Sequence, residues 1–112
     1  MTFDQLQRYR LAAEILEALR TRRPSRILDA GSREGFLKHF LPGDRVVNLD
    51  LASFPVLGFV QGDIFALPFP DRSFDAALAL DVLEHLPAPR RPAFLDELSR
   101  VSSGPVIVGS PF

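Results

Sequence analysis

The chain has 112 residues, 46% of them apolar, a net charge of −1 and no cysteine. That length predicts a single domain, and the charge balance gives no sequence-wide electrostatic reason to expect nucleic acid. Lack of cysteine excludes disulfides and thiolate metal sites and predicts a reducing, cytoplasmic setting. No apolar run approaches the roughly 20 residues of a membrane span, and the N-terminus lacks the basic, apolar and small-residue segments of a secretory signal.

Taken in chain order, Thr2 to Arg20 predicts an amphipathic helix. Phe3, Leu6, Ala13, Leu16 and Leu19 recur near helical spacing, while Asp4, Arg8, Glu14 and Glu17 can face water. Thr2 with Gln5 has the pattern of a capping box. Arg20, Arg22, Arg23 and Arg26 crowd the helix end. Cations are favourably placed there, and the alternative is a patch for phosphate or an acidic partner. Pro24 ends the helix. Ile27 to Ala30 is the first expected strand, Gly35 to Leu41 a short helix closed by Pro42 and Gly43, and Val46 to Asp50 the second strand. Gly58 to Gly62 is the third strand, and Leu67 to Ser73 a proline-rich loop. Phe74 to Leu80 is an apolar run suited to a strand buried on both faces, although its alanines are poor strand formers. Pro89 to Val101 predicts a helix with Phe94, Leu95, Leu98 and Val101 on one side, and Pro105 to Gly109 a last strand. Strand and helix alternate, which predicts an α/β fold with a parallel sheet.

The chemistry is expected where the strands end. RILDAGSREG, residues 26–35, runs from apolar residues into Asp29, then Gly31 and Gly35. Glycine there permits positive φ and lets a ligand lie against bare backbone, and in open α/β sheets ligands bind at the carboxyl ends of strands. The second strand ends in Asp50, the third is followed by Gly62 and Asp63, and the fourth by Asp81. A carboxylate is a bidentate acceptor and can take both hydroxyls of a ribose, while an acid after the third strand can accept from an exocyclic amine. The plainer reading makes these acids caps and turn formers. Asp81, Glu84 and His85 come from one short loop, an unusual source for three metal ligands, so no metal is expected.

The ordered pieces RILDAGSREGFL, VVNLD, QGDIFALPFPDRSFDAALALDVLEHLP, FLDELSRV and PVIVGSP resemble class I S-adenosylmethionine-dependent methyltransferases of the broad small-molecule group called type 11, over about residues 26–111. The resemblance implies a Rossmann-like open parallel sheet of five strands in the order 3-2-1-4-5, with flanking helices. It implies one domain over residues 1–112, an N-terminal helix over 1–23 and a cofactor-binding core over 24–112. The implied cofactor is S-adenosyl-L-methionine and the implied partner a small-molecule acceptor, without nucleic acid or membrane. Asp29, Gly31 and Gly35 would shape the methionine pocket, with Ala30, Ser32 and Arg33 beside them in the turn. Asp50 would bind the ribose and Leu51 pack on the adenine, Asp63 and Ile64 would meet the adenine edge, and Asp81 and Val82 would lie at the sulfonium end. His85 is the candidate general base for an acceptor with a proton to lose; the alternative is that it lines the substrate pocket.

The sequence departs from that pattern twice. The family's middle glycine in the turn is Arg33, which could crowd the cofactor or pair with its carboxylate. The family's last two strands would lie beyond Phe112, so the domain is expected to be truncated, with an exposed last strand or the N-terminal helix as a homodimer surface. Two other functions compete. A non-catalytic module would bind S-adenosylmethionine or a protein without turnover. A nicotinamide dinucleotide domain would use Asp50, but the turn lacks the G-x-G-x-x-G glycines.

Overall fold

Period-two alternation along the first strand decides the layers. In the computed structural model, which describes residues 2–31, 35–51 and 58–110, β1 (Arg26–Ala30) sends Ile27 into one core and Leu28 into another on the opposite face. β1 pairs in parallel with β2 (Arg45–Asp50) and with β4 (Ala76–Leu80). β3 (Phe59–Gln61) and β5 (Val106–Gly109) are the outer strands, giving the order β3-β2-β1-β4-β5. The expected order and parallel sense are both present.

All five residues of β4 are buried. Alanine is a poor strand former, but Ala76, Ala77 and Ala79 cost little volume between two packed layers, and burial on both faces overrides local propensity. On one face lies α1 (Phe3–Leu19), on the other α2 (Arg91–Val101), which buries Phe94, Leu98 and Val101. The expected helix from Pro89 begins instead as a 3-10 turn, Ala88–Arg90, before α2. The expected helix over residues 35–41 is a 3-10 turn, Phe36–His39. A left-handed Gly35 precedes that turn, and Pro42 follows too soon for a full α-helical stretch.

Thr2 and Gln5 cap α1 reciprocally, the Gln5 amide donating to Thr2 Oγ1 at 3.1 Å and the Thr2 amide to Gln5 Oε1 at 2.9 Å. Its buried stripe is Tyr9, Ala12, Ala13 and Leu16. That corrects the expected face: Phe3 and Leu19 are 71% and 55% exposed, and Arg8 turns inward. The small residues Ala12 and Ala13 allow close approach to the sheet, whereas the larger Leu11, Ile15 and Leu19 stay on the outer side. Arg20 is not simply solvated at the helix end. Its Nη1 lies 2.5 Å from Asp44 Oδ1, and it also pairs with Glu17, which Arg23 shares.

The proline-rich loop is held by a single guanidinium. Arg100 on α2 donates to the carbonyls of Leu67 (2.9 Å) and Phe69 (2.8 Å) and pairs with Glu97 and Asp71. Glu97 in turn accepts from the Leu67 amide at 2.8 Å, and these bonds hold its carboxyl below the usual range. This clamp fixes the chain that follows Asp63 and Ile64. Arg100→Ala should therefore lower the urea midpoint of unfolding, since two carbonyls lose a charged donor. Arg100→Lys should restore only a minor part, because an ammonium cannot reproduce the planar fork.

Candidate active site

Parallel pairing brings the carboxyl ends of the strands to one edge of the sheet. Register places Asp29 beside Asn48 and Leu78, and Ala30 beside Leu49. The Gly31 amide then donates to the Leu49 carbonyl at 2.7 Å, so the chain leaves β1 directly over the end of β2. Gly31 has φ +73, and a Cβ built there would fall 2.4 Å from Val82 Cγ2. Both the backbone region and the space require glycine. Gly35 has φ +75 and lies against Asn48, where a Cβ would come within 3.2 Å of the amide carbon. Ser32 and Arg33, expected between these glycines, lie outside the described residues.

Asp29 is the chemical centre of this edge. It is 1% exposed, and its Oδ2 has no hydrogen-bond partner among the described residues. Burial, with the charge of Asp50 adding to it, pushes its carboxyl up to about 8. Burial disfavours the charged form, and among the described residues no cation faces the carboxyl, so the proton stays on. Asn48, fully buried beside it, has both amide atoms unpartnered among the described residues. An ammonium group delivered to this position would supply the missing partner, which is what the amino-acid end of S-adenosylmethionine carries. The orphaned oxygen and the Gly31 cradle thus fit that group.

The remaining expected residues line the same edge with unequal freedom. Asp50 ends β2, and one of its oxygens accepts from the Leu51 amide at 2.7 Å. Leu51 is 72% exposed, the disposition expected of an apolar surface awaiting a flat partner. Asp63 caps its own turn, accepting from the Phe65 amide at 2.8 Å, with Ile64 half-buried beside it. The turn-forming reading therefore describes what one Asp63 oxygen does here. Asp81 follows β4 with φ +60, unusual for a residue with a side chain, and Val82 is buried under Gly31. His85 ends the 3-10 turn Leu83–His85 and is exposed.

Sequence reasoning missed the contribution of α1. Arg8 Nε lies 2.5 Å from Asp81 Oδ1, and Arg8 Nη2 donates to Asp81 Oδ2 at 3.0 Å, a side-on pair that is largely shielded from solvent. The hydrogen bond to Asp81 holds the guanidinium above its ordinary range. Gln5 and Tyr9 of α1 join Gly31, Phe36, Asp81 and His85 around a cavity of about 150 Å³. A ligand pocket is usually larger, ~300 Å³ or more, so this cavity suits one end of a nucleoside-like ligand. No local signal marks Arg8 in the sequence, because its acid partner is 73 residues away.

The methyltransferase domain family model matches residues 28–105, so the chain belongs to that family. A Methanococcus maripaludis protein described as an S-adenosyl-L-methionine-dependent methyltransferase superposes with a TM-score of 0.73 at 20% identity, covering 96% of this chain and 57% of its own. A Burkholderia thailandensis 1,6-didemethyltoxoflavin-N1-methyltransferase, solved with 1,6-didemethyltoxoflavin and S-adenosylhomocysteine, gives 0.71 at 21% identity, covering 88% and 47%. At these identities the likeness shows the fold. A fatty-acid O-methyltransferase from Mycolicibacterium smegmatis is 53% identical over 45 residues, 40% of this chain and 16% of that protein. The chain thus spans about half of its solved neighbours and matches a smaller share of that curated relative. Among the described residues no helix is long and apolar enough to cross a membrane.

The buried acid carries a pH signature. Below pH 3.8 the Asp29 carboxyl is protonated in folded and unfolded chains alike; between there and about 8 only the folded chain keeps the proton. Stability must therefore fall as pH rises through that window. From pH 5 to 8 the loss attributable to Asp29 should be roughly 2–4 kcal/mol, at about 1.4 kcal/mol per pH unit of differential protonation. Asp29→Asn should flatten that slope, measured as urea unfolding free energy at several pH values; an unchanged slope would show that Asp29 ionises freely in the fold.

Proposed function

We propose that this chain binds S-adenosyl-L-methionine along the carboxyl edge of its sheet and transfers the sulfonium methyl group to a small-molecule acceptor. The observation that carries this reading is Asp29, a buried acid whose Oδ2 has no partner among the described residues, beside Gly31, which packs on Val82. In this reading Asp29, Ala30, Gly31 and Gly35 enclose the amino-acid end, with Ser32 and Arg33 of the same turn. Asp50 takes the ribose hydroxyls, Leu51 lies on the adenine, and Asp63 and Ile64 meet the adenine edge. Asp81 and Val82 border the sulfonium end, where Arg8 holds the Asp81 carboxylate in place.

When bound, the cofactor supplies an electrophilic methyl group. The protein's part is alignment and exclusion of water. α1 contributes both by covering the cavity with Gln5 and Tyr9. His85, exposed at the cavity rim, is available as a base for an acceptor that loses a proton.

Titration calorimetry with S-adenosylhomocysteine tests the cofactor half of the proposal, with NADH as control. Micromolar binding is expected, weakened at least tenfold in Asp50→Ala; a preference for NADH, or no S-adenosylhomocysteine binding by the wild type, overturns it. Asp29 adds a second readout. A ligand ammonium beside Asp29 should drive its proton off, so binding at pH 7 should release up to about one proton per site. Calorimetry in buffers of different ionisation enthalpy measures this, and Asp29→Asn should abolish the release.

A further inference from the structure

The arginines after α1 do not all share one fate. Arg20 and Arg23 are taken by Asp44 and Glu17. Arg22 and Arg26 are exposed, and the fold adds two more exposed arginines beside them. Arg45 is the register partner of Arg26 where β1 and β2 begin. Arg72 comes from the loop before β4, with φ +55 and its amide bound to the Arg100 carbonyl at 2.8 Å. These four guanidinium-bearing residues line one cavity of about 490 Å³ at the amino ends of the strands.

One carboxylate faces them. Asp75 Oδ1 is 3.8 Å from Arg22 Nη1, and Asp75 Oδ2 accepts from the Arg26 backbone amide at 2.8 Å. The Arg26 guanidinium lies 4.7 Å from the centre of the Phe74 ring, which orients it without neutralising it. Among the described residues no carboxylate pairs with the side chains of Arg26, Arg45 or Arg72. Four cations against one acid, around a concavity, raise a positive potential that a counter-ion relieves. The forked geometry of arginine matches phosphate oxygens in pairs.

We propose that this cavity binds a phosphate group carried by a small molecule. The site stands at the opposite ends of the strands from the Asp29 edge and does not rest on the reading of that edge. The charges surround one hollow of ligand size. A nucleic-acid backbone would instead call for a stripe of cations along the surface.

The experiment is calorimetric titration of the whole chain with pyrophosphate at fixed ionic strength, with sodium chloride as the matched control. Saturable binding is expected, weakened at least tenfold in Arg45→Ala/Arg72→Ala. Arg45→Lys, which keeps the charge and loses the fork, should fall between the two. Both variants should keep their thermal midpoints and whatever S-adenosylhomocysteine affinity the wild type has, since neither residue touches that edge. Inorganic phosphate binding more weakly than pyrophosphate through the same arginines also supports the site. No saturable heat with pyrophosphate overturns the proposal, as does equal binding by wild type and double variant. Binding of single-stranded RNA or anionic vesicles in preference to pyrophosphate overturns it in favour of a macromolecular surface.

Discussion

The central position of β1 is the constraint on which the rest depends. Because β1 is hydrogen-bonded to β2 on one side and to β4 on the other, its end is flanked by both neighbours' ends. The chain must turn sharply there, and Gly31 does so against Val82, two residues past the end of β4. Close approach at that point requires thin layers on both faces. The alanines of β4 and the Ala12 and Ala13 pair of α1 supply that thinness. The features that make β4 a weak strand locally are therefore the ones that make the edge compact.

Compactness has an electrostatic cost, which settles on Asp29. A carboxyl buried beside Leu78 and Asn48, with the charge of Asp50 nearby, keeps its proton into the neutral range. Asp81, one strand over, meets the opposite arrangement. α1 lays Arg8 across it, and the two form an ion pair with one hydrogen bond, from Nη2 to Oδ2. Two acids at neighbouring strand ends thus differ in surroundings: Asp29 lacks a partner for Oδ2 among the described residues, and Asp81 is paired with Arg8. Such a divergence is the usual mark of a site in which the groups have different tasks.

Much of this was legible in the sequence because it rests on local rules. The strand that ends at Ala30 with Gly31 after it, the acids at the strand ends and the capping of α1 by Thr2 and Gln5 are all short-range features. What was not legible rests on distance. Arg8 is 73 residues from Asp81, and nothing within one turn of helix distinguishes it from a solvated arginine. The expected apolar face of α1 took Phe3 and Leu19 inward because size dominated the pattern; the sheet instead selected Tyr9, Ala12, Ala13 and Leu16, whose profile fits the gap. Arg100 was likewise invisible, since a carbonyl in a proline-rich loop leaves no trace in the sequence of the side chain that will bind it.

Net charge was the least informative number. A value of −1 describes a chain whose acids and arginines could be mixed, yet parallel strands sort them. Asp29, Asp50, Asp63 and Asp81 stand at or just after carboxyl ends, while Arg26 and Arg45 open β1 and β2 with Arg22 and Arg72 beside them. In an antiparallel sheet the same local pattern, basic residue before a strand and acid after it, would alternate the signs along each edge and largely cancel. Parallel order instead groups the residue types, so these acids gather at one edge and these arginines at the other across a sheet only a few residues long. A ligand sees the field of the edge it approaches, because at physiological salt charges screen over roughly 8 Å. The two ends of this small fold therefore present separate chemistries: an acidic edge suited to amine and hydroxyl donors, and a basic one suited to phosphate.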